Sequence, residues 1–462
     1  MWIDSRPSLT VDEVLQLLTK RELAGVLGTS AGCRGLRKPE LLDWLRQLRG
    51  DTSLLEEWWP HPPDSVLRVL VAPLCERLRL MFFGNFQQSW DEFVLADLGI
   101  FRYERVALAA TSRAFQSREE IAHFHSLYRA RELLHAEAPP EDVRAAVPPA
   151  LAGCSWIERR RAELLFTIGQ RFEKLGDLTR AVSVYLDCGH PGARIRAIRS
   201  LERLGQVAEV VRLLAILESS AMSEFESQRA ARLRARLDRK LGRSATAARR
   251  GVDCELLHLQ LPQASAAAEV SVERAALAHL SRTDAPAWYV ENALINSLFG
   301  LLCWEAIFQP LPGAFFHPFH AAPADLFERD FVARRAEAFA ACLAQLDDDR
   351  YRATILATFD SKAGIQMPFV AWGLITRELL ELALTCIPAA HLRLFFARLL
   401  ADLAANRTGL PDLVQFWPAE QRYRLIEVKG PGDRLQDNQT RWLRYCVTHR
   451  LPVCVCKVSW LA

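Results

Sequence analysis

Two short apolar runs, 413–417 and 422–428, flank the polar break Pro418-Ala419-Glu420-Gln421, and this spacing constrains the chain more than any other stretch. Both runs are rich in β-branched, aromatic and aliphatic residues, so they read as strands joined by a four-residue hairpin loop. Trp417 then pairs with Arg422, and counting back along both strands sets Asp412 opposite Glu427. Directly opposed antiparallel residues hold their Cβ atoms about 4.5–5.5 Å apart. Two carboxylates that close repel each other unless a cation sits between them. Lys429 lies two residues beyond Glu427, so strand alternation puts both side chains on one face. Two hard oxygen ligands and one ammonium thus converge on a point. Mg²⁺ and Mn²⁺ take oxygen ligands and keep positions for water and phosphate oxygens. Such a metal lowers the pKa of bound water and neutralises charge developing on phosphate. Lys429 is placed to orient or deprotonate that water, or to stabilise the pentavalent transition state. On spacing alone, an ordinary surface hairpin with a cross-strand Glu–Lys pair fits equally well.

At 462 residues the chain exceeds one ordinary core, so two to four domains are expected. No run of about 18 uninterrupted apolar residues and no signal-peptide pattern is present, which points to a soluble intracellular protein. The eleven cysteines form no paired C-x-x-C framework, and Cys454 and Cys456 alternate with valines as packing residues do. A net charge of +3 leaves any nucleic-acid-attracting field local rather than global. Of the 58 basic residues only seven are lysine, which makes Lys429 poor filler. The Arg, Ala and Leu bias suggests a GC-rich bacterial genome. A cytoplasmic, nucleoid-associated protein is therefore expected, or a nuclear one if the source is eukaryotic.

Three blocks follow along the chain. The first, residues 1–150, has helical patterning with aromatic clusters. Thr10 caps one amphipathic helix, a Gly-rich basic link runs from Gly32 to Lys38, and Pro39 opens a second helix. Helix, basic turn, helix over about residues 10–50 resembles a SAP-type DNA-binding element, with Arg34, Arg37 and Lys38 as candidate phosphate contacts. A plain helical hairpin with a solvated basic loop explains the same residues. In the second block, residues 151–283, Lys174-Leu175-Gly176-Asp177 recurs 29 residues on as Arg203-Leu204-Gly205-Gln206. Gly at inter-helix turns suggests tetratricopeptide-like repeats, though that repeat is usually about 34 residues. Protein partners are expected to dock on such repeats. The basic run from Arg229 to Arg243 is either a solvated helix face or a phosphate-tracking surface.

The third block, residues 284–462 with its core motifs in 405–462, opens on Thr283-Asp284-Ala285-Pro286, read as a helix start. Leu294, Ile295, Leu298, Leu301 and Leu302 form the buried stripe of the helix that follows. Glu291 lies at the head of that stripe, where a carboxylate needs a partner. The hairpin metal would supply one; a salt bridge or exposure at a frayed end are the alternatives. A helix from Asp437 and a closing strand Val453 to Trp460 complete a mixed α/β core. The expected fold is mainly α with a C-terminal α/β domain.

These residues carry a resemblance. Gly409-Leu410-Pro411-Asp412, the string Glu427 to Leu435, and Gln439-Thr440-Arg441-Trp442-Leu443 resemble the VRR-NUC domain, a branch of the PD-(D/E)xK nuclease superfamily. Phe82-Phe83-Gly84-Asn85, Trp90 to Leu95, Asp97-Leu98-Gly99 and Phe101 to Glu104 resemble the N-terminal domain of the Fanconi-anaemia-associated nucleases. Leu298 to Trp304 resembles that family's helix bearing an extra metal-site acid, and Glu291 occupies the acid's place. The resemblance spans nearly the whole chain.

It implies a structure-selective DNA nuclease, cutting near 5′ flaps and degrading from 5′ ends in interstrand-crosslink repair, with Mg²⁺ or Mn²⁺. By position, Asp412, Glu427, Glu291 and the Val428 carbonyl would ligate metal, Lys429 would serve the water, and Gln439 would support the site. Flapped or branched duplex DNA is the expected partner, and a monomer the expected state. No zinc-finger ubiquitin-binding pattern is present, as in bacterial members, and the resemblance leads one to expect a further helical stretch of the N-terminal domain before Trp2. A Holliday-junction resolvase and a non-catalytic DNA-binding scaffold are the competing readings. The long upstream blocks argue against the first, and the intact acid–acid–Lys set against the second.

Overall fold

The computed structural model describes residues 3–10, 13, 17–22, 52–54, 65–109, 112–219, 224–243, 252–262 and 271–461. The chain divides into two compact units, Met1–Gln87 and Gln88–Ala462. In the first, β1 (Ile3–Asp4) pairs antiparallel with β4 (Arg68–Val69), and β2 (Ser8–Thr10) with β3 (Thr52–Leu54). Thr10 and Glu13 exchange side-chain and backbone hydrogen bonds as a capping box, matching the expected Thr10 cap. Arg34, Arg37, Lys38 and the helix expected after Pro39 lie outside the described residues.

In the second unit the helices Ser155–Lys174, Leu178–Leu186, Ala193–Arg203, Val207–Ser219 and Glu224–Lys240 stack in sequence. Gly176 (φ 85°) and Gly205 (φ 74°) hold the left-handed turns that end the first and third of these, so the two similar motifs are two copies of one turn. Asp177 accepts a hydrogen bond from the Arg180 N–H and caps the helix that follows. Three of the seven basic residues in the run pair with neighbouring acids: Arg232 with Asp437, Arg234 with Glu218, and Arg236 with Glu202. That pairing favours a solvated, ion-paired helix face over a phosphate track.

A mixed sheet of five strands among the described residues closes the chain, in the order β5-β9-β8-β7-β6. Its strands are β5 (Glu255–Pro262), β6 (Ala287–Tyr289), β7 (Leu413–Trp417), β8 (Arg422–Lys429) and β9 (Val453–Leu461). β9 runs parallel to both β5 and β8, whereas β8–β7 and β7–β6 are antiparallel. Two expectations change here. The Thr283–Pro286 segment does not start a helix. It leads into β6, because Arg282 and Ala285 trade backbone hydrogen bonds in a tight turn and Ala287–Tyr289 adds to β7. The sheet also begins upstream of residue 284: β5 and the helix Val272–Leu280, assigned to the repeat block, belong to it.

Both faces of the sheet are covered near its centre. Ala275 and Ala276 of the Val272–Leu280 helix pack on Leu413, Ile426 and Cys454. The opposite face, from Val414, Leu425 and Val455, packs under the helices Leu294–Leu302 and Asp437–Thr448. Every residue of Leu294–Leu302 is buried. Full burial of one such aliphatic side chain stabilises by roughly 1.5–3 kcal/mol, so this helix anchors the sheet. Cys454 and Cys456 are fully buried packing residues, and burial pushes their thiols up to about 12 and about 11. No single described helix is long and apolar enough to cross a membrane.

Candidate metal centre

The hairpin register brings the two strand acids together. Trp417 pairs with Arg422 and Leu413 with Ile426, so the next step of the ladder sets Asp412 against Glu427. Pro418–Glu420 forms a single 3-10 turn, and Gln421 (φ 48°) takes the left-handed position that returns the chain. Asp412 is held at the strand start by its own backbone and side chain. Its carbonyl accepts from the Val290 N–H of the β6 end, and its Oδ2 accepts from the Val428 N–H at 2.8 Å. Gly409 (φ 90°) sets the approach to Asp412, since a Cβ there would stand 2.6 Å from the Asn438 backbone.

Glu427 is the unusual group. It is 0% exposed, and neither carboxylate oxygen accepts a directed hydrogen bond. Lys429 Nζ lies 2.8 Å from Oε1 as an ion-pair contact. Burial, the Asp412 charge and the Glu291 charge, in that order of effect, push Glu427 up to about 8 against the pull of Lys429. Burial likewise pushes Asp412 up to about 6, opposed by the Val428 N–H and Lys429. Two buried carboxylates that share one ammonium are costly to ionise together, so the donor set is one that a hard divalent cation completes.

Glu291 reaches this centre by a different route from the one expected. It sits in the turn before the Leu294–Leu302 helix and is exposed rather than heading a buried stripe. Asn292 (φ 51°) separates it from the helix. Tyr289 Oη donates to Glu291 Oε2 at 2.5 Å, and Asn292 Nδ2 to Oε1 at 3.4 Å. Glu291 nevertheless lies near enough to raise both Asp412 and Glu427. Among the described residues no three such side chains close into a ready-made metal cage.

Gln439 is buried at the first turn of Asp437–Thr448, where its Oε1 accepts from the Gln436 N–H at 2.9 Å. Its carbonyl oxygen is thus a helix cap. The Val428 side chain points into the opposite apolar cluster, leaving only its backbone toward the acids. Sequence reasoning passed over Glu273. This half-buried acid in the first turn of the Val272–Leu280 helix lies close enough to raise Asp412 and Tyr289. Its neighbour Val272 packs where a Cβ on Gly430 would stand, fixing the helix start beside the end of β8. The available signal was Ser271, whose side chain caps this helix by accepting from the Arg274 N–H.

Comparison with known proteins agrees with this geometry. The VRR-NUC domain profile matches residues 346–460, and the Fanconi anemia-associated nuclease SAP domain profile matches residues 8–58. The Fanconi-associated nuclease 1 homolog of Pseudomonas aeruginosa is 48% identical over 461 residues, covering 99% of this chain and 82% of the relative. Human Fanconi-associated nuclease 1 is 34% identical over 179 residues, 37% of this chain and 18% of that protein. The crystal structure of paFAN1 bound to 2nt 5′ flap DNA with gap superposes with a TM-score of 0.93 at 48% identity, covering 100% of this chain and 84% of that one. A near-identical match is found for paFAN1 with a 1nt 5′ flap, at a TM-score of 0.92. PD-(D/E)xK-type nucleases generally use divalent metal ions. With identity close to one half over nearly its full length, and with the strand-end acids lying inside the matched nuclease domain, the chain belongs to the Fanconi-associated nuclease 1 family of DNA-repair nucleases.

Proposed function

We propose that this nuclease hydrolyses phosphodiesters near 5′ flaps and from 5′ ends of DNA, with Mg²⁺ or Mn²⁺, in interstrand-crosslink repair. The observation that carries the reading is Glu427: a fully buried carboxylate with no directed hydrogen bond, set against Asp412 and an ammonium. The flap preference rests on likeness to paFAN1, whose structures hold 5′ flap DNA. Asp412, Glu427, Glu291 and the Val428 carbonyl would hold the metal. When bound, the metal supplies an acidified water and screens charge on the scissile phosphate. Lys429, 2.8 Å from Glu427, orients the attacking water or offsets charge on the pentavalent phosphorus. The Val428 N–H fixes the Asp412 carboxylate, so that one oxygen faces inward. Gln439 acts indirectly, by holding the start of the helix beside the centre. The protein works as a monomer on flapped or branched duplex, in the bacterial cytoplasm.

The test incubates the protein with Mn²⁺ on 5′-flap, 3′-flap and four-way-junction DNA beside Glu427→Gln. Cutting near the 5′ flap is expected. In the variant it should fall by at least about a thousandfold, in the range seen for loss of one key catalytic group, with DNA binding retained. Symmetric junction cleavage would instead establish a resolvase, and binding without metal-dependent cutting would leave only a scaffold.

A further inference from the structure

The sheet is covered unevenly on the face that carries Glu427 and Lys429. Trp442, Leu443 and Cys446 of the Asp437–Thr448 helix pack against Val453 and Val455, and past Val455 the same face of β9 is open. Parallel register sets Lys457 of β9 directly beside Lys429 of β8, and His258 of β5 directly beside Lys457. Directly paired residues share a face, so Lys429, Lys457 and His258 form a row from the metal centre to the sheet's edge strand. Burial confirms the facing. Lys457, Ser459, His258 and Gln260 are exposed, whereas their strand neighbours Val458, Leu259 and Leu261 are buried on the other side.

The row is chemically unfinished. Among the described residues neither Lys457 nor His258 has an ion pair or a side-chain hydrogen bond. The carboxylate of Lys429 is Glu427, one step deeper. Neighbouring strands lie about 4.8 Å apart, so the two lysines are close, and like charges facing each other across a ladder are unfavourable. An anion between or above them reverses the sign. Lysine is scarce in this chain, seven of 58 basic residues, yet two of the seven are ladder partners here. A compact ammonium on a long stem suits a single backbone phosphate oxygen, and an imidazole N–H adds a second donor one strand on.

We propose that Lys457, with His258 beyond it, binds backbone phosphates of the DNA strand next to the scissile one, so that this strand leaves the metal centre across β8, β9 and β5. The assignment rests on the nuclease reading above and adds a direction to it. Lys457 is a positioning residue: it touches substrate backbone and not the reacting atoms. Two strand steps carry the row about 10 Å from Lys429, enough to follow the backbone past the cut.

Binding of a labelled 5′-flap duplex in EDTA, measured by fluorescence anisotropy over a series of KCl concentrations, tests this without requiring cleavage. Lys457→Ala should weaken binding roughly tenfold and lower the slope of log affinity against log salt by about 1. Lys457→Arg should restore both, and His258→Ala should weaken binding to a smaller degree. With Mn²⁺ present, KM of Lys457→Ala should rise with kcat held, the signature of lost ground-state binding. Unchanged affinity and slope in Lys457→Ala would overturn the proposal, as would a loss that Lys457→Arg leaves unrepaired or that comes with a lowered Tm. The two readings fail separately. Binding without cutting by the unmutated protein would end the nuclease mechanism while the salt slope still judged Lys457; absence of DNA binding would end both.

Discussion

Glu427 is the most strongly perturbed acid of the candidate centre. Its carboxyl and that of Asp412 stand at about 8 and about 6, above their ordinary values of 4.5 and 3.8. Carboxyls whose pKa is raised by folding favour the folded state while protonated. That contribution is complete below about pH 4 and is lost as pH climbs through 6 and then 8. Tm in EDTA should therefore fall between about pH 4 and pH 8, through both groups up to about pH 6 and through Glu427 alone above it, and Mn²⁺ should raise it more at the upper end, because metal replaces the protons. Scanning fluorimetry at several pH values measures both effects, and Glu427→Gln should flatten the upper part of the decline. A Tm independent of pH and of Mn²⁺ would sink the assignment. The two strand acids were legible in the sequence because strand alternation and hairpin register are strict. Glu291 was placed on a helix because its spacing to Leu294 and Ile295 fits a helical stripe. Nothing local showed that Asn292 would take a positive φ and break the periodicity first. Glu273 was invisible for another reason: its relation to Asp412 exists only after two distant segments pack.

The hairpin shows what an element contributes beyond its own residues. β7 and β8 followed from residue type and loop length, down to the pairing of Trp417 with Arg422. β6 did not, since three residues, Ala287–Tyr289, carry too little pattern to be separated from the Asp-Ala-Pro signal before them. β5 alternates as an edge strand should, but it sits at the end of a long helical block and pairs with a strand almost two hundred residues on. Gly409 connects these elements. A side chain there meets both a positive φ and the Asn438 backbone. Gly409→Ala should destabilise by about 1–3 kcal/mol from backbone strain alone. It should also weaken Mn²⁺ affinity in calorimetry, by displacing Asp412 from Glu427. A variant with unchanged stability and affinity would show that the loop relaxes freely.

At the scale of the molecule, the nuclease sheet is not a separable C-terminal cassette. A fragment starting at residue 284 lacks β5 and the Val272–Leu280 helix, which cover Leu413, Ile426 and Val428. It would also lose Glu104, whose carboxylate holds the Trp304 indole N–H and the Lys362 ammonium. That fragment should show no cooperative thermal transition, whereas residues 88–462, one compact unit, should unfold cooperatively and keep Mn²⁺ binding. Scanning calorimetry distinguishes them, and a cooperative transition in the shorter fragment would refute the dependence. Helical repeats were readable because Gly176 and Gly205 mark local turns; the true edge of the sheet was not, because a parallel partner leaves no mark in nearby sequence.

The strand order carries one more consequence. β9 lies between β5 and β8 although it follows both in the chain. The place between β5 and the acid-bearing hairpin is therefore filled by the last of these strands to be synthesised. Domains form as units while chains are being made, and distant pairings form late. The centre of the sheet is thus completed last: both strand acids are synthesised before the strand that is to lie beside them.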